Sequence, residues 1–183
     1  MAILSHYTSF SSALQILLSG KIKLGNIMYS NDLSEIEKYK NDEFNYFVFC
    51  TCASKIDSLM WFSYAKNKFG ACITFVLKPN KQKKQLLKKD QTIGKWSSAK
   101  IEYTDVHVYE KKGFQKECVF KREKEYRFLC KSREQEIVAN INWEIVEKVT
   151  LTLSSYFDED IIKPIFSKVP VSVAINIQRL FKC

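Results

Sequence analysis

Short runs of apolar, β-branched and aromatic residues alternate with polar segments along the chain and predict more strands than helices. The predicted strands are Ile3–Thr8, Ile22–Leu24, Phe47–Ala53, Ala71–Leu77, Lys100–Thr104, Phe120–Leu129, Trp143–Ser154 and Val171–Ile177. The predicted helices are Phe10–Leu18, one that starts near Leu33, Leu59 to about Lys68, and Asp158–Lys168, which Pro164 would kink or shorten. Because strands and helices do not alternate strictly, the pattern predicts an α+β domain and not a doubly wound parallel sheet.

The residues at the predicted helix ends suit capping. Ser9 is a candidate N-cap of the first helix, and Gly20 is its predicted stop. The polar segment Asn26–Asp32 is predicted to be a loop whose residues can cap the second helix. Asp57 or Ser58 can cap the third.

The predicted strand Phe120–Leu129 carries the charged residues that best suit a ligand site. As an extended strand it would place Glu123, Glu125 and Arg127 on one face. At about 3.3 Å of rise per residue, carboxylates at positions i and i+2 of a strand are separated by roughly 7 Å. Both can then contact the same ligand. Arg127 on the same face can keep both acids charged. The alternative is a solvated strand face with a surface ion-pair ladder, which contributes little stability.

Composition narrows the class of protein. At 183 residues, with 46% apolar residues, the chain is long enough for one domain whose core buries about 70% of the unfolded surface. The N-terminus lacks the charged and apolar regions of a signal peptide, and no apolar run approaches the roughly 18 residues of a membrane span. Six cysteines without a secretion signal indicate reduced thiols. We therefore expect a single-domain cytoplasmic protein that makes no membrane contact.

The charge balance favours polyanionic partners. Lysine and arginine total 29 against 20 acidic residues, giving a formal net charge of +9. The densest lysine run lies in an insert, Lys78–Trp96, that matches no motif. The run is interpreted either as a nucleic-acid phosphate contact patch or as a solvated segment that keeps the protein soluble.

The sequence lacks the motifs of several common kinds of site. The sequence has no Walker-type phosphate loop and no Gly-x-Gly-x-x-Gly, and it contains only five glycines. Cys50 and Cys52 lack the usual two-residue gap and a second pair, and the chain has only two histidines, so we expect no metal site. No local signature supports a Cys–His nucleophile pair.

Two further groups are candidates for ligand contacts. His6, Tyr7, Thr8 and Ser9 lie where the first strand meets the first helix, and their side chains can hydrogen-bond a ribose or phosphate there. The alternative is a core histidine beside a capping serine. Trp61 and Tyr64, three residues apart, share a helix face and form either an aromatic wall for a flat ring or ordinary core.

An ordered set of motifs resembles a widespread uncharacterised bacterial family over about residues 3 to 130. The matching segments are His6–Ser9, Ser19–Leu24, Ser30–Asp32 with Glu35, Met60–Ala65, Gly70–Ile73, and the Glu-x-Glu-x-Arg of Glu123, Glu125 and Arg127. One departure is Phe120, where the family often has Trp. Each motif is weak alone, while the ordered set is fairly specific.

That family in turn resembles the diphtheria-toxin-like ADP-ribosyltransferases, whose hallmark is a His, Tyr, Glu triad. The resemblance implies a split β-sandwich that binds NAD as co-substrate, with Glu125 as the catalytic carboxylate. It implies that His6 contacts the adenosine-side ribose, with Thr8 nearby, and that Tyr64, with Trp61, stacks on the nicotinamide. The candidate catalytic residues are Glu125 and Glu123, and the candidate NAD-binding residues are His6, Tyr7, Thr8, Asn31, Asp32, Trp61, Tyr64 and Arg127.

The resulting expectation is an NAD-dependent mono-ADP-ribosyltransferase that acts as a bacterial toxin or anti-phage effector. The positive charge favours a nucleic-acid acceptor, RNA or DNA, over a protein. An antitoxin protein would be a further partner. The alternatives are a non-catalytic nucleic-acid or ligand-binding module on the same fold, and an NAD glycohydrolase that uses water as acceptor.

Overall fold

The computed structural model describes residues 2–52, 58–65, 69–105 and 113–178. It divides into two compact units. Unit 1 comprises Met1–Lys21, Ala53–Leu87 and Ile141–Cys183, and unit 2 comprises Ile22–Cys52 and Lys88–Asn140. The chain mixes helices and strands without strict alternation, so the predicted α+β class is confirmed. Among the described residues, no helix has the length and apolar character needed to cross a membrane.

The strands are short and numerous. In chain order they are β1 (Ile3–Ser9), β2 (Lys21–Lys23), β3 (Gly25–Asn26), β4 (Asn45–Cys52), β5 (Gly70–Leu77), β6 (Leu87–Lys88), β7 (Lys95–Lys100), β8 (Glu102–Tyr103), β9 (Gln115–Lys116), β10 (Glu125–Ser132), β11 (Val138–Ile141), β12 (Val146–Ser154) and β13 (Ser172–Gln178). The α-helices are α1 (Phe10–Ser19), α2 (Leu33–Tyr39), α3 (Ser58–Tyr64) and α4 (Glu159–Ile162). Short 3-10 helices span Ile27–Tyr29, Lys83–Gln85, Cys118–Glu123, Trp143–Ile145 and Lys163–Lys168.

Unit 1 is built on four neighbouring strands in the order β13-β12-β5-β1. β5 pairs antiparallel with β1 and with β12, while β13 runs parallel to β12. α1 and α3 contact both β1 and β5. The fully buried side chains of this unit include Leu4, Ile73, Phe75, Leu151 and Leu153.

Helix α1 begins and ends where its capping residues predict. The Ser9 hydroxyl accepts a hydrogen bond from the Ser12 amide, so Ser9 is the N-cap. Gly20 ends the helix in the left-handed conformation, with φ of 67°. A Cβ on Gly20 would lie 2.8 Å from Nε1 of Trp143, so the position requires glycine for space as well as for conformation.

Unit 2 is built around β10, which pairs antiparallel with β4 on one side and β7 on the other. β3 adds to β4, β8 pairs with β9, and β11 pairs with β2. A cluster of Ile27, Tyr39, Tyr46 and Leu129 fills part of its core. β10 therefore has a hydrogen-bonded strand on each side, and six of its eight residues are buried.

Most predicted elements are confirmed, but three strand boundaries are wrong. The strand predicted from Phe120 begins only at Glu125, because Cys118–Glu123 forms a 3-10 helix that Lys124 ends with φ of 45°. The strand predicted at Lys100–Thr104 is not continuous, because Lys100 is the last residue of β7 and Glu102–Tyr103 forms the separate two-residue β8.

At the third boundary, Trp143–Ile145 is a 3-10 helix that precedes β12. The strands β3, β6, β9 and β11 have no counterpart among the predicted strands. The end of the predicted strand at Ala53, the candidate cap Asp57, and residues 66–68 of the predicted third helix lie outside the described residues.

Candidate functional site

A buried cluster of charged side chains surrounds the start of β10 in unit 2. Its members are Glu35, Lys116, Glu123, Glu125 and Arg127, and each is at most 8% exposed. Buried charges are tolerated only when they are paired and hydrogen-bonded, so the contacts within this cluster determine what it can do.

Arg127 is the centre of the cluster. Its Nε donates to Oε1 of Glu125 at 2.7 Å, and its Nη2 donates to the other oxygen at 3.3 Å. On its far side the guanidinium donates to both carboxylate oxygens of Glu35, and Nη1 also donates to the Gly113 carbonyl at 3.0 Å. These contacts use all five N–H donors of the guanidinium, which is the full capacity of an arginine.

Lys116 joins the second acid to the first. Its ammonium lies 2.8 Å from Oε2 of Glu123 and 3.1 Å from Oε2 of Glu125. It also lies 5.1 Å from the centre of the Phe120 ring. Glu125 is therefore held between two cations, while Glu123 reaches the cluster through Lys116.

The preceding turn positions the Glu125 backbone. Lys124 adopts the left-handed conformation, and the Glu125 amide then donates to the Tyr103 hydroxyl at 2.7 Å. The Glu125 carbonyl accepts from the Ile101 amide at 3.0 Å. Both backbone groups of Glu125 are thus fixed before the ladder with β4 begins.

The electrostatic environment keeps Glu125 ionised. Burial by itself would raise its pKa, but the positive charges of Arg127 and Lys116 and the hydrogen bonds from Arg127 and Cys50 lower the pKa to about 2. For Lys116 burial acts to lower the pKa, and the negative charges of Glu125 and Glu123 outweigh it, so the pKa of Lys116 is raised. Both groups are therefore charged at neutral pH.

Two neighbours of Glu125 are kept neutral. Burial raises the pKa of the Cys50 thiol, and the negative charge of Glu125 raises it further. Burial likewise raises the pKa of Tyr103 to about 12. Cys50 is therefore a hydrogen-bond donor to Glu125 here, and its raised pKa argues against a thiolate nucleophile.

The first turn of α2 places Glu35 in the cluster. Asp32 caps this helix, since its Oδ1 accepts from the Glu35 amide at 3.1 Å and from the Ser34 hydroxyl at 2.7 Å. Oδ2 of Asp32 is buried and has no hydrogen-bond partner among the described residues. Asn31 is exposed. The capping role of this segment is confirmed, while its predicted contact with NAD stays a prediction.

The geometry corrects two interpretations of the Glu-x-Glu segment. Glu123 does not share a strand face with Glu125, because it lies in the 3-10 helix that precedes β10. The alternative of a solvated ion-pair ladder is wrong, because Glu125 and Arg127 are 3% and 1% exposed. Glu125 and Arg127 do lie on one face of β10, as predicted.

Unit 1 brings together part of the second set of candidates. His6 and Thr8 are half-buried on one face of β1, and the alternating geometry of a strand places Tyr7 on the other. Tyr7 packs edge-on against Trp61, with ring centres 6.3 Å apart. Trp61 is fully buried and Tyr64 is half-buried, so of the predicted aromatic wall only Tyr64 has exposed surface.

Sequence reasoning missed four groups around Glu125. Each of the four contacts Glu125 or Arg127, and each lies outside β10: they are Lys116, Tyr103, Cys50 and Gly113. No local pattern distinguishes Lys116 from the many other lysines. The one available signal is chemical: two acids and one arginine that become buried require a further cation.

The described residues contain no group of three or more His, Cys, Asp or Glu side chains that could hold a metal ion. The chain matches no protein-family model, no curated protein and no solved structure. The function of the charged cluster is therefore argued from its own geometry and from the motifs of the chain.

Proposed function

We propose that this protein is an NAD-dependent mono-ADP-ribosyltransferase in which Glu125 is the catalytic carboxylate. The observation that carries the proposal is the state of Glu125, which is ionised and held at both carboxylate oxygens. Three acidic and two basic side chains form the cluster, so its formal charge with all five ionised is −1. A fixed, negatively charged cluster suits a reaction that develops positive charge.

The chemistry assigned to Glu125 is electrostatic. Its carboxylate accepts a hydrogen bond from the 2′-hydroxyl of the nicotinamide ribose and stabilises the oxocarbenium-like transition state. The bond from C1′ to the nicotinamide nitrogen breaks, and nicotinamide leaves with the electron pair. The acceptor nucleophile then bonds to C1′ and loses its proton.

The other members of the cluster have positioning roles in this proposal. Arg127 and Lys116 keep Glu125 charged and fix its orientation. Glu123 keeps the role expected of the first acid of the pair, which is to orient or deprotonate the acceptor. Its link to Glu125 runs through Lys116 and not through a shared strand face.

The residues of unit 1 keep the roles that the resemblance implies. We assign His6 and Thr8, which share a face of β1, to the adenosine-side ribose. Tyr64 is assigned to the nicotinamide because it retains exposed surface, whereas Tyr7 and Trp61 support the strand and helix from within. The α+β class and the antiparallel strand pairs of each unit support the proposed split β-sandwich.

The proposed acceptor is a nucleic acid. A formal net charge of +9 attracts RNA and DNA non-specifically, which raises the encounter rate with such an acceptor. A protein acceptor is the alternative. In either case the activity fits a toxin or anti-phage effector, with an antitoxin protein as its regulator.

A second candidate function is a non-catalytic binding module. The observation that favours it is the completeness of the pairing: Glu125 is 3% exposed, and both its oxygens already have partners. A cluster of this kind can have a purely structural role, which is to orient β10 within the core. The lysine-rich segment would then contact the nucleic acid without chemistry.

The deciding experiment incubates the full chain with labelled NAD and separate pools of RNA, DNA and cell protein. We expect label on one pool and a loss of at least about 100-fold in Glu125→Gln, since removing one fixed charge or donor commonly costs that much. Glu134→Gln, an exposed acid of the same unit, is the matched control and should retain full activity.

The outcomes separate the candidates. Label that stays in small molecules while NAD is consumed indicates an NAD glycohydrolase. Full activity in Glu125→Gln would contradict the assignment of the catalytic carboxylate. No consumption of NAD, together with salt-dependent RNA binding, would support the binding module.

A further inference from the structure

Four contacts from the described residues occupy the Glu125 carboxylate. Arg127 donates to both of its oxygens, the Cys50 thiol donates to it as well, and the Lys116 ammonium lies 3.1 Å from Oε2. An ionised carboxylate has about four lone-pair positions. The 2′-hydroxyl of a ribose can therefore hydrogen-bond to Glu125 only if one of these donors gives up its place.

Two of the three donating side chains are held in place. All five N–H groups of Arg127 are engaged, and its other carboxylate partner is Glu35, so movement of the guanidinium would leave buried acids unpaired. Cys50 lies directly opposite Arg127 in the β4–β10 pair, and its sulfur is bonded to Cβ, so it has little freedom to withdraw. We therefore expect both donors to stay with Glu125.

Lys116 differs from both because it has a second acid within reach. Its ammonium donates to Glu123 at 2.8 Å, which is shorter than the 3.1 Å to Glu125, and the centre of the Phe120 ring lies 5.1 Å away. A lysine carries three donors on a flexible four-carbon stem, so it can withdraw from one acid and keep the other. Its backbone belongs to β9, which is two residues long.

We propose that Lys116 is the displaceable partner of Glu125: it withdraws towards Glu123 when NAD binds, and the ribose 2′-hydroxyl takes its place at Oε2. This inference rests on the proposed function, which assigns that hydroxyl to Glu125. In the free protein Lys116 satisfies the buried carboxylate, and in the complex the substrate does. Lys116 is therefore a positioning residue that acts through Glu125.

The electrostatics of the cluster favour this exchange. Coulomb attraction falls in inverse proportion to distance at a fixed dielectric constant, so an ammonium that moves from 3.1 Å to about 5 Å keeps roughly 60% of its attraction to Glu125. Glu123 and the Phe120 ring continue to stabilise the ammonium after the move. With a positive charge further from Glu125, more of the negative charge of the carboxylate acts on the oxocarbenium-like ribose.

The test measures the binding of two NAD analogues to the full chain by calorimetry. Carba-NAD has a methylene group in place of the ring oxygen of the nicotinamide ribose, so it keeps the 2′-hydroxyl and cannot form the oxocarbenium ion. The second analogue is carba-NAD without that 2′-hydroxyl. The dissociation constant of the second divided by that of the first is the hydroxyl ratio, and it isolates the hydroxyl because the other contacts are common to both analogues.

The two acids and the lysine predict opposite shifts of the hydroxyl ratio. In Lys116→Met the hydroxyl no longer competes with an ammonium, so we expect the ratio to rise at least about tenfold, as for a hydrogen bond to a charged group. In Glu123→Gln the ammonium loses the charge that draws it away from Glu125, so we expect the ratio to fall. Lys121→Met, which removes an exposed lysine of the preceding 3-10 helix, is the control for the change in net charge and should leave the ratio unchanged.

The outcomes separate this inference from the proposed function. Thermal unfolding checks that each variant retains the fold. Analogues that bind with the same hydroxyl ratio in the wild type, Lys116→Met and Glu123→Gln would overturn the inference and leave the proposed function standing. A fall of the ratio in both variants would also overturn it, because that is what a purely structural role of Lys116 predicts. If neither analogue binds the wild type, the proposed function fails and this inference fails with it.

Discussion

Arg127 shows how a single residue can organise a buried site. Its five donors join Glu125 on the same strand, the Gly113 carbonyl of a preceding turn, and Glu35 of the distant helix α2. Each of those partners would be left with an unmet hydrogen bond if the guanidinium were removed, and two of them would be buried carboxylates.

Replacing Arg127 with methionine should therefore destabilise the protein strongly. Removing one partner of a buried ion pair leaves an uncompensated charge, which typically costs about 3–5 kcal/mol. Arg133→Met is the control, since Arg133 pairs with Glu43 in an exposed ion pair and should cost no more than about 1 kcal/mol. Urea denaturation of the two variants measures the difference, and equal losses would contradict the arrangement described for Arg127.

At the scale of elements, the helix and strand ends depend on a few special backbone positions. Gly20 ends α1, and Lys124 ends the 3-10 helix that precedes β10; both residues are in the left-handed region. Glycine adopts that region without strain, so Gly20 predicts the end of α1 from the sequence alone. A lysine there carries no such signal, so the strand was predicted to begin several residues too early.

Gly20→Ala should destabilise unit 1. The left-handed conformation costs a residue with a Cβ about 1–2 kcal/mol, and the added carbon would also press on Trp143. Gly25→Ala is the matched control, because Gly25 has no positive φ and its Cβ would lie 3.8 Å from the nearest atom, the Val48 carbonyl oxygen. Thermal unfolding should show a lower midpoint for the first variant and an unchanged or slightly higher one for the second; a lower midpoint for Gly25→Ala alone would contradict this account.

At the scale of the whole molecule, charge has two opposed effects. The excess of basic residues favours polyanionic partners, while the buried cluster in unit 2 carries an excess of acidic ones. Lowering the pH makes the surface still more positive and protonates the carboxylates that the cluster requires. The dependence of the free energy of unfolding on pH therefore depends on the cluster.

The pH dependence of unfolding has a defined sign for Glu125. Although burial opposes it, the neighbouring cations lower the pKa of Glu125 from 4.5 to about 2 in the folded state. Its contribution to the free energy of unfolding is therefore full above pH 4.5 and is lost as the pH falls through about 2. A shift of this size corresponds to a loss on the order of 3 kcal/mol.

Urea denaturation of the wild type and of Glu125→Gln between pH 7 and pH 2 tests this dependence. The wild type should lose stability more steeply below pH 4.5 than the variant, which has no carboxyl group at position 125 to protonate. Parallel curves for the two proteins would show that Glu125 is not held in the ionised state described above.

The sequence by itself determined the α+β class, α1 with both its caps, the strands β1, β4, β5 and β13, and the placement of Glu125 and Arg127 on one strand face. These features depend on side-chain period and on capping residues, which are local. The tertiary structure alone decided that the charges are buried, that Lys116 and Glu35 complete them, and that β13 lies at an edge. Burial and pairing depend on which distant segments pack together, and periodicity carries no information about that.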